Sequence, residues 1–200
     1  MEERHYHRRN LPHLYYNDGT YFITYRLFGS MPTGILNELN RIYNSEIKID
    51  LNKLELLKLE NILNKYEELL NTSSYLPKYL SDEKIAKICQ RTIHYYDEDQ
   101  YKLICYCIMP NHVHLIFKLI QNNKGIAKIM QSIKRTSANE SNKVLSREGI
   151  FWQGESFDRL IRDDKELYFT INYVIENPVK AGLIDAWGKW RYTYVNKDYL

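Results

Sequence analysis

Polar and apolar positions change period several times along the chain, and each change marks an element. Residues 1–17 are polar, basic and aromatic with no sustained period, which predicts an irregular arm. GTYFITYRLFG (19–29) alternates and is rich in β-formers, so it predicts a strand ended by Gly29 and Pro32. From Thr33 to Leu70 the spacing turns helical, with one apolar face at Leu36, Leu39 and Ile42 and a longer one from Leu54 to Leu70. SEIKID breaks the two, and NTSSYLPKYL reads as a loop. Ser81 opens a helix over DEKIAKICQRTIHYY. YKLICYCI (101–108) and HVHLIFKLI (112–120) flank Pro110 and Asn111 as a hairpin. GIAKIMQSIKRTSANESNKVL is an amphipathic helix, REGIFWQGESFDRLIR a loop leading into a short strand, and DDKELYFTINYVIEN a last helix stopped by Pro178. The tail from Trp187 shows no clear period.

The order strand, helices, hairpin, helix, strand, helix predicts an α+β fold. It fits a ferredoxin-like sandwich, an antiparallel sheet with helices on one face. The 200 residues predict one domain spanning 1–200, with a helical insertion at about 45–80 after the first strand. A net charge of +3 is too small for a protein that binds nucleic acid through bulk charge alone, so any such binding requires local basic clusters. Cys89, Cys105 and Cys107 are odd in number and lack framework spacing, which argues for a reducing compartment and for small buried side chains. No apolar leader and no run of about 20 apolar residues is present, so a cytoplasmic protein without a membrane span is expected.

Within MPNHVHLIF, His112 and His114 are two apart on a strand and share one face. Two imidazoles so placed make half of a metal site, though a surface pair has the same spacing. Tyr173 and Asn177, four apart, share a helical face. A phenol can act as nucleophile and a carboxamide oxygen suits a hard cation, but each is also an ordinary helix residue, and spacing alone does not bring them to the histidines.

MPNHVHLIF, IFWQGESFDRLIRDDKEL and YVIENPVKAGL, in that order, together with RRNLPH before YFITYRL and with IMQSIKRTSANESN, resemble the REP-associated tyrosine transposases. These belong to the HUH single-tyrosine, single-strand DNA transposases, named for a histidine–hydrophobic–histidine motif. The resemblance covers roughly 4–186. It implies the ferredoxin-like fold, His112, His114 and Asn177 as ligands of Mg²⁺ or Mn²⁺, and Tyr173 as nucleophile. It further implies cleavage and rejoining of single-stranded, hairpin-containing DNA through a 5′-phosphotyrosine, by a monomer or homodimer associated with the nucleoid. Lys128, Lys134 and Arg135 on the amphipathic helix are candidates for DNA contact. So are Arg8, Arg9, Asn10 and His13 in the arm, and Arg159 and Arg162 near the late strand. Trp152 is expected to pack. Where relatives carry tryptophan-proline-tryptophan-serine-serine, this chain has AWGKWRYTYV, and no role is carried over to it. Two other readings remain: a non-catalytic module holding structured DNA or RNA, and a closed zinc site.

Overall fold

The structure, a computed structural model, describes residues 5–8, 12–16, 18–31, 54–71 and 77–200, without the side chains of 5–8, 12–15, 54–56, 58 and 71. The expected helical face at Leu36, Leu39 and Ile42 and the break at SEIKID lie outside the described residues. The chain divides into two compact units, one of residues 1–28 with 78–200 and the other of residues 29–77.

In the larger unit, five strands form one antiparallel sheet: β3 (Thr20–Arg26), β4 (Tyr101–Ile108), β5 (His112–Leu119), β6 (Phe157–Ile161) and β7 (Thr193–Val195), in spatial order β6-β3-β5-β4-β7. Without the edge strand β7, this is the fourth–first–third–second order of a βαββαβ ferredoxin-like core. The expected α+β class therefore stands. The core helices α2 (Glu83–His94) and α3 (Ile126–Val144) both pack on one face. There Ile85, Cys89, Ile93, Ile129 and Ile133 meet Tyr21, Ile23, Tyr25, Val113, Leu115 and Phe117. The other face carries Phe22, Thr24, Arg26, His112, His114 and Ile116, set by the β3–β5 register. Against it lies α4 (Asp164–Lys180), the helix that follows the last core strand, so the expected placement of helices on one face holds for the two core helices and not for α4.

Between Leu103 and Cys105 the β4–β5 register shifts, because Leu103 faces Phe117 and Cys105 faces Ile116. The extra residue, Ile104, switches the alternation, so Cys105 and Cys107 fall on the histidine face. All three cysteines are buried free thiols, and burial pushes the Cys89 thiol up to about 12.

Four boundaries differ from the sequence expectation. The basic arm is not irregular throughout, since β1 (His5–Arg8) pairs with β2 (Pro12–Tyr15) in an antiparallel ladder. The start of α2 is capped by Asp82 rather than Ser81, its carboxylate accepting from the backbone N–H of Lys84 and Ile85. Helix α4 runs through Pro178 to Lys180. The proline removes one N–H, but it comes in the final turn, where Ala181 still donates to the Asn177 carbonyl. The tail closes the sheet: β7 pairs with β4, and the Trp190 Nε1 donates to the Ile108 carbonyl at 3.0 Å.

In the smaller unit, α1 (Leu54–Asn71) buries Leu59, Leu63, Tyr66 and Leu70 at three- and four-residue spacing. Tyr66 and Leu70 pack with Met31. No helix among the described residues is long and apolar enough to cross a membrane.

Candidate active site

Alternation on β5 sends Val113 and Leu115 into the core and turns His112 and His114 to the opposite face, where both are buried. Each imidazole is anchored through Nδ1. His112 Nδ1 lies 2.7 Å from Asn111 Oδ1, an atom that only accepts, so this nitrogen carries the proton and donates. His114 Nδ1 lies 2.8 Å from the hydroxyl of Thr24, its register partner on β3. The Thr24 hydroxyl can donate to or accept from that nitrogen, and the two Nε2 atoms stand 3.0 Å apart, a distance at which they share a proton or a cation.

Two nitrogens each about 2.1 Å from one cation, at a right angle, would stand about 3.0 Å apart. Oriented rings whose second nitrogen is held by a carboxamide or hydroxyl are also the usual surroundings of imidazole ligands. His112 and His114 therefore fit a shared metal ion.

Helix α4 delivers the phenol. Asp163 caps its start, accepting from the Glu166 N–H, with Asp164 in the first turn and Lys180 in the last, both charges complementing the helix dipole. Phe22 stacks on His114 at 5.7 Å between centroids, and the buried Tyr173 ring meets His114 edge-on at 5.5 Å and Phe22 at 6.0 Å. The Lys180 ammonium lies 5.5 Å from the Tyr173 ring centroid. One turn along, Asn177 is buried, its Nδ2 donating to the Tyr173 carbonyl at 3.1 Å, which leaves Oδ1 as its acceptor group. The structure thus brings His112, His114 and Tyr173 together, with Asn177 adjacent to Tyr173 on α4.

The basic candidates separate. Lys128 and Arg135 are exposed on α3. Lys134 Nζ donates to the Gln153 and Gly154 carbonyls at 2.9 and 3.1 Å, tying the loop that follows Trp152 to α3. Arg159 forms a 2.5 Å ion pair with Glu166, both side chains nearly covered, while Arg162 is exposed. Arg8 and His13 lie in the β1–β2 ladder, and Arg9 and Asn10 lie outside the described residues. Trp152 packs as expected: it is buried, and its Nε1 donates to Ser137 Oγ.

Residues 64–177 match the family model for Transposase IS200 like, more than half of the chain. The chain belongs to the IS200-like transposase family. It is 30% identical over 136 residues to a Haemophilus influenzae protein carrying the provisional name REP-associated tyrosine transposase, across 64% of this chain and 74% of that one. To the REP-associated tyrosine transposase of Escherichia coli K12 it is 21% identical, across 49% of this chain and 56% of that protein. In fold it is similar to a solved REP-associated tyrosine transposase bound to a REP hairpin, with TM-score 0.56 and 17% identity over 96% of this chain and 82% of that one. Family membership makes this a transposase-class enzyme, and the phenol and the imidazole pair lie within the matched residues.

Thr24 and Asn111, which orient the two rings, were not singled out from sequence. Asn111 had a signal, because it directly precedes His112. Thr24 had none, because it reaches His114 only through strand pairing across 90 residues.

Proposed function

We propose that this enzyme cleaves and rejoins single-stranded, hairpin-containing DNA through a phosphotyrosine intermediate, as one HUH-type domain carrying a helical insertion at about 45–80. The observation that carries the proposal is the edge-on approach of the Tyr173 ring to His114, beside two Nε2 atoms 3.0 Å apart. The hairpin-bound relative supports the same class of substrate.

In this reading, Tyr173 Oη attacks the scissile phosphorus, an O–P bond forms, and the bond from phosphorus to the 3′ oxygen breaks. The phenol gives up its proton and the departing 3′ oxygen gains one. The 5′ phosphate of the downstream fragment stays on Tyr173 as a phosphodiester, so a 3′-hydroxyl can reverse the step without an external energy source. A phenol is ionised only near pH 10 in water, so it needs help at neutral pH. Mg²⁺ or Mn²⁺, held by His112 and His114 with Asn177 as third ligand, would supply Lewis-acid stabilisation of phosphate charge. Asn111 and Thr24 hold the two rings in orientation, and Phe22 packs against both His114 and Tyr173.

The test uses 3′-labelled single-stranded hairpin oligonucleotides from DNA flanking the gene, incubated with Mg²⁺ or Mn²⁺ and run on a denaturing gel. A label-bearing protein adduct, absent with Tyr173→Phe and His112→Ala, is the expected result. Hairpin binding without an adduct in either metal sinks the proposal in favour of a binding module.

A further inference from the structure

We infer that Arg26 is a phosphate-binding residue of the active site, its guanidinium directed to a non-bridging oxygen of the scissile phosphate. The inference rests on the transposase reading above and adds a residue to it.

Register supplies the first argument. On β3, Arg26 is directly opposite His112, two residues beyond Thr24, which is opposite His114. Opposed residues of an antiparallel pair project to the same face with Cβ atoms about 4.5–5.5 Å apart. The hydrogen bond between Thr24 and His114 verifies that face and that register at the side-chain level. Arg26 therefore issues from the sheet beside His112, while Tyr173 lies over His114 and Phe22. Tyr173 and the Arg26 position thus flank the imidazole pair from opposite ends.

Placement against the core supplies the second. The neighbouring alternate positions of β3, Tyr21, Ile23 and Tyr25, all fill the core, and Arg26 on the other face is not a solvated residue, being 2% exposed. Taking a guanidinium out of water is costly and calls for strong, directed hydrogen bonding. Its five N–H donors, in a planar fork, allow it to serve a protein acceptor and a phosphate oxygen together. The backbone is also fixed: the Arg26 carbonyl accepts from Gln153 N–H, and Leu27 bridges to Trp152. The stem of the side chain is thereby anchored beside His112, where a guanidinium can stabilise charge on a phosphoryl group bound at the imidazole pair.

The experiment measures single-turnover adduct formation at saturating hairpin DNA and Mn²⁺ on two substrates. One carries a natural scissile phosphate and the other a methylphosphonate, in which a neutral methyl replaces one charged oxygen. Arg26→Gln is expected to slow the natural substrate by roughly 10²-fold. The methylphosphonate should be slowed far less, with hairpin affinity retained. A folded Arg26→Gln that matches the wild-type rate, or that slows both substrates equally, overturns the inference. If Arg26→Gln does not fold, Arg26→Lys takes its place: it keeps the charge but loses the fork, and should be slowed on the natural substrate only. Equal slowing of both substrates, or none, again overturns the role. Absence of an adduct with the wild-type protein would be a failure of the transposase reading itself, separate from any result on Arg26.

Discussion

At the scale of single residues, the site depends on which imidazole nitrogen carries the proton, and that is set by neighbours outside the reacting groups. Asn111 Oδ1 can only accept, so it fixes the His112 tautomer, and Thr24 Oγ1 holds His114 in the matching orientation. Asn111→Ala and Thr24→Val should each weaken Mn²⁺ affinity about 10- to 100-fold, with the fold retained. Metal titration by calorimetry checks this, and unchanged affinity in both variants would remove the orienting role. Of these neighbours only Asn111 was legible, by adjacency to the HVH run.

At the scale of elements, similar residues in the sequence divide into structural and surface groups. Arg159, on β6, pairs with Glu166 in the first turn of α4 and so pins the helix that carries Tyr173 to the sheet. Arg135 and Lys128 extend from α3 into solvent. Breaking a largely covered ion pair by removing one partner costs about 3–5 kcal/mol. Glu166→Ala should therefore lower the melting temperature in calorimetry. If α3 faces DNA, Lys128→Gln and Arg135→Gln should leave melting unchanged. Each should then reduce the slope of log affinity against log salt by about 0.7–0.9. A salt slope unaffected by either variant would take α3 out of the DNA interface. Periodicity found these helices, but it cannot say which charged position meets an acid on another element.

At the scale of the whole molecule, the tail decides how the sheet ends. Without β7, strand β4 would present an open edge of backbone donors and acceptors, a known route to association. The tail covers it with the Thr193–Val195 ladder and with bonds from Asn196 to the Ile104 and Leu103 carbonyls, and Tyr194 stacks on Tyr106. Burial pushes the Tyr106 phenol up to about 12, so this stacked pair stays uncharged through neutral pH. Deleting residues 187–200 also removes the buried Tyr192 and the Trp190 bond to Ile108. A loss of roughly 3 kcal/mol should lower the melting temperature by about 6–12 °C and raise light scattering. A truncated chain that melts unchanged and stays monodisperse would show that the tail does not protect the edge.

Much was determined by the sequence itself, because period and motif are local. Alternation marked β3, β4 and β5, helical spacing marked α2, α3 and α4, and HVH on a strand put two imidazoles on one face. The motifs, taken together, pointed to the family. The register between β3 and β5 was decided only in three dimensions. That register brings Thr24 to His114 and Arg26 to His112, and no local signal encodes a pairing across some 90 residues. The same holds for the tail strand, whose aromatic residues have no strong period and acquire strand structure only by hydrogen-bonding to an existing edge. It also holds for Arg159, whose carboxylate partner Glu166 comes within 2.5 Å only through the packing of α4 on the sheet.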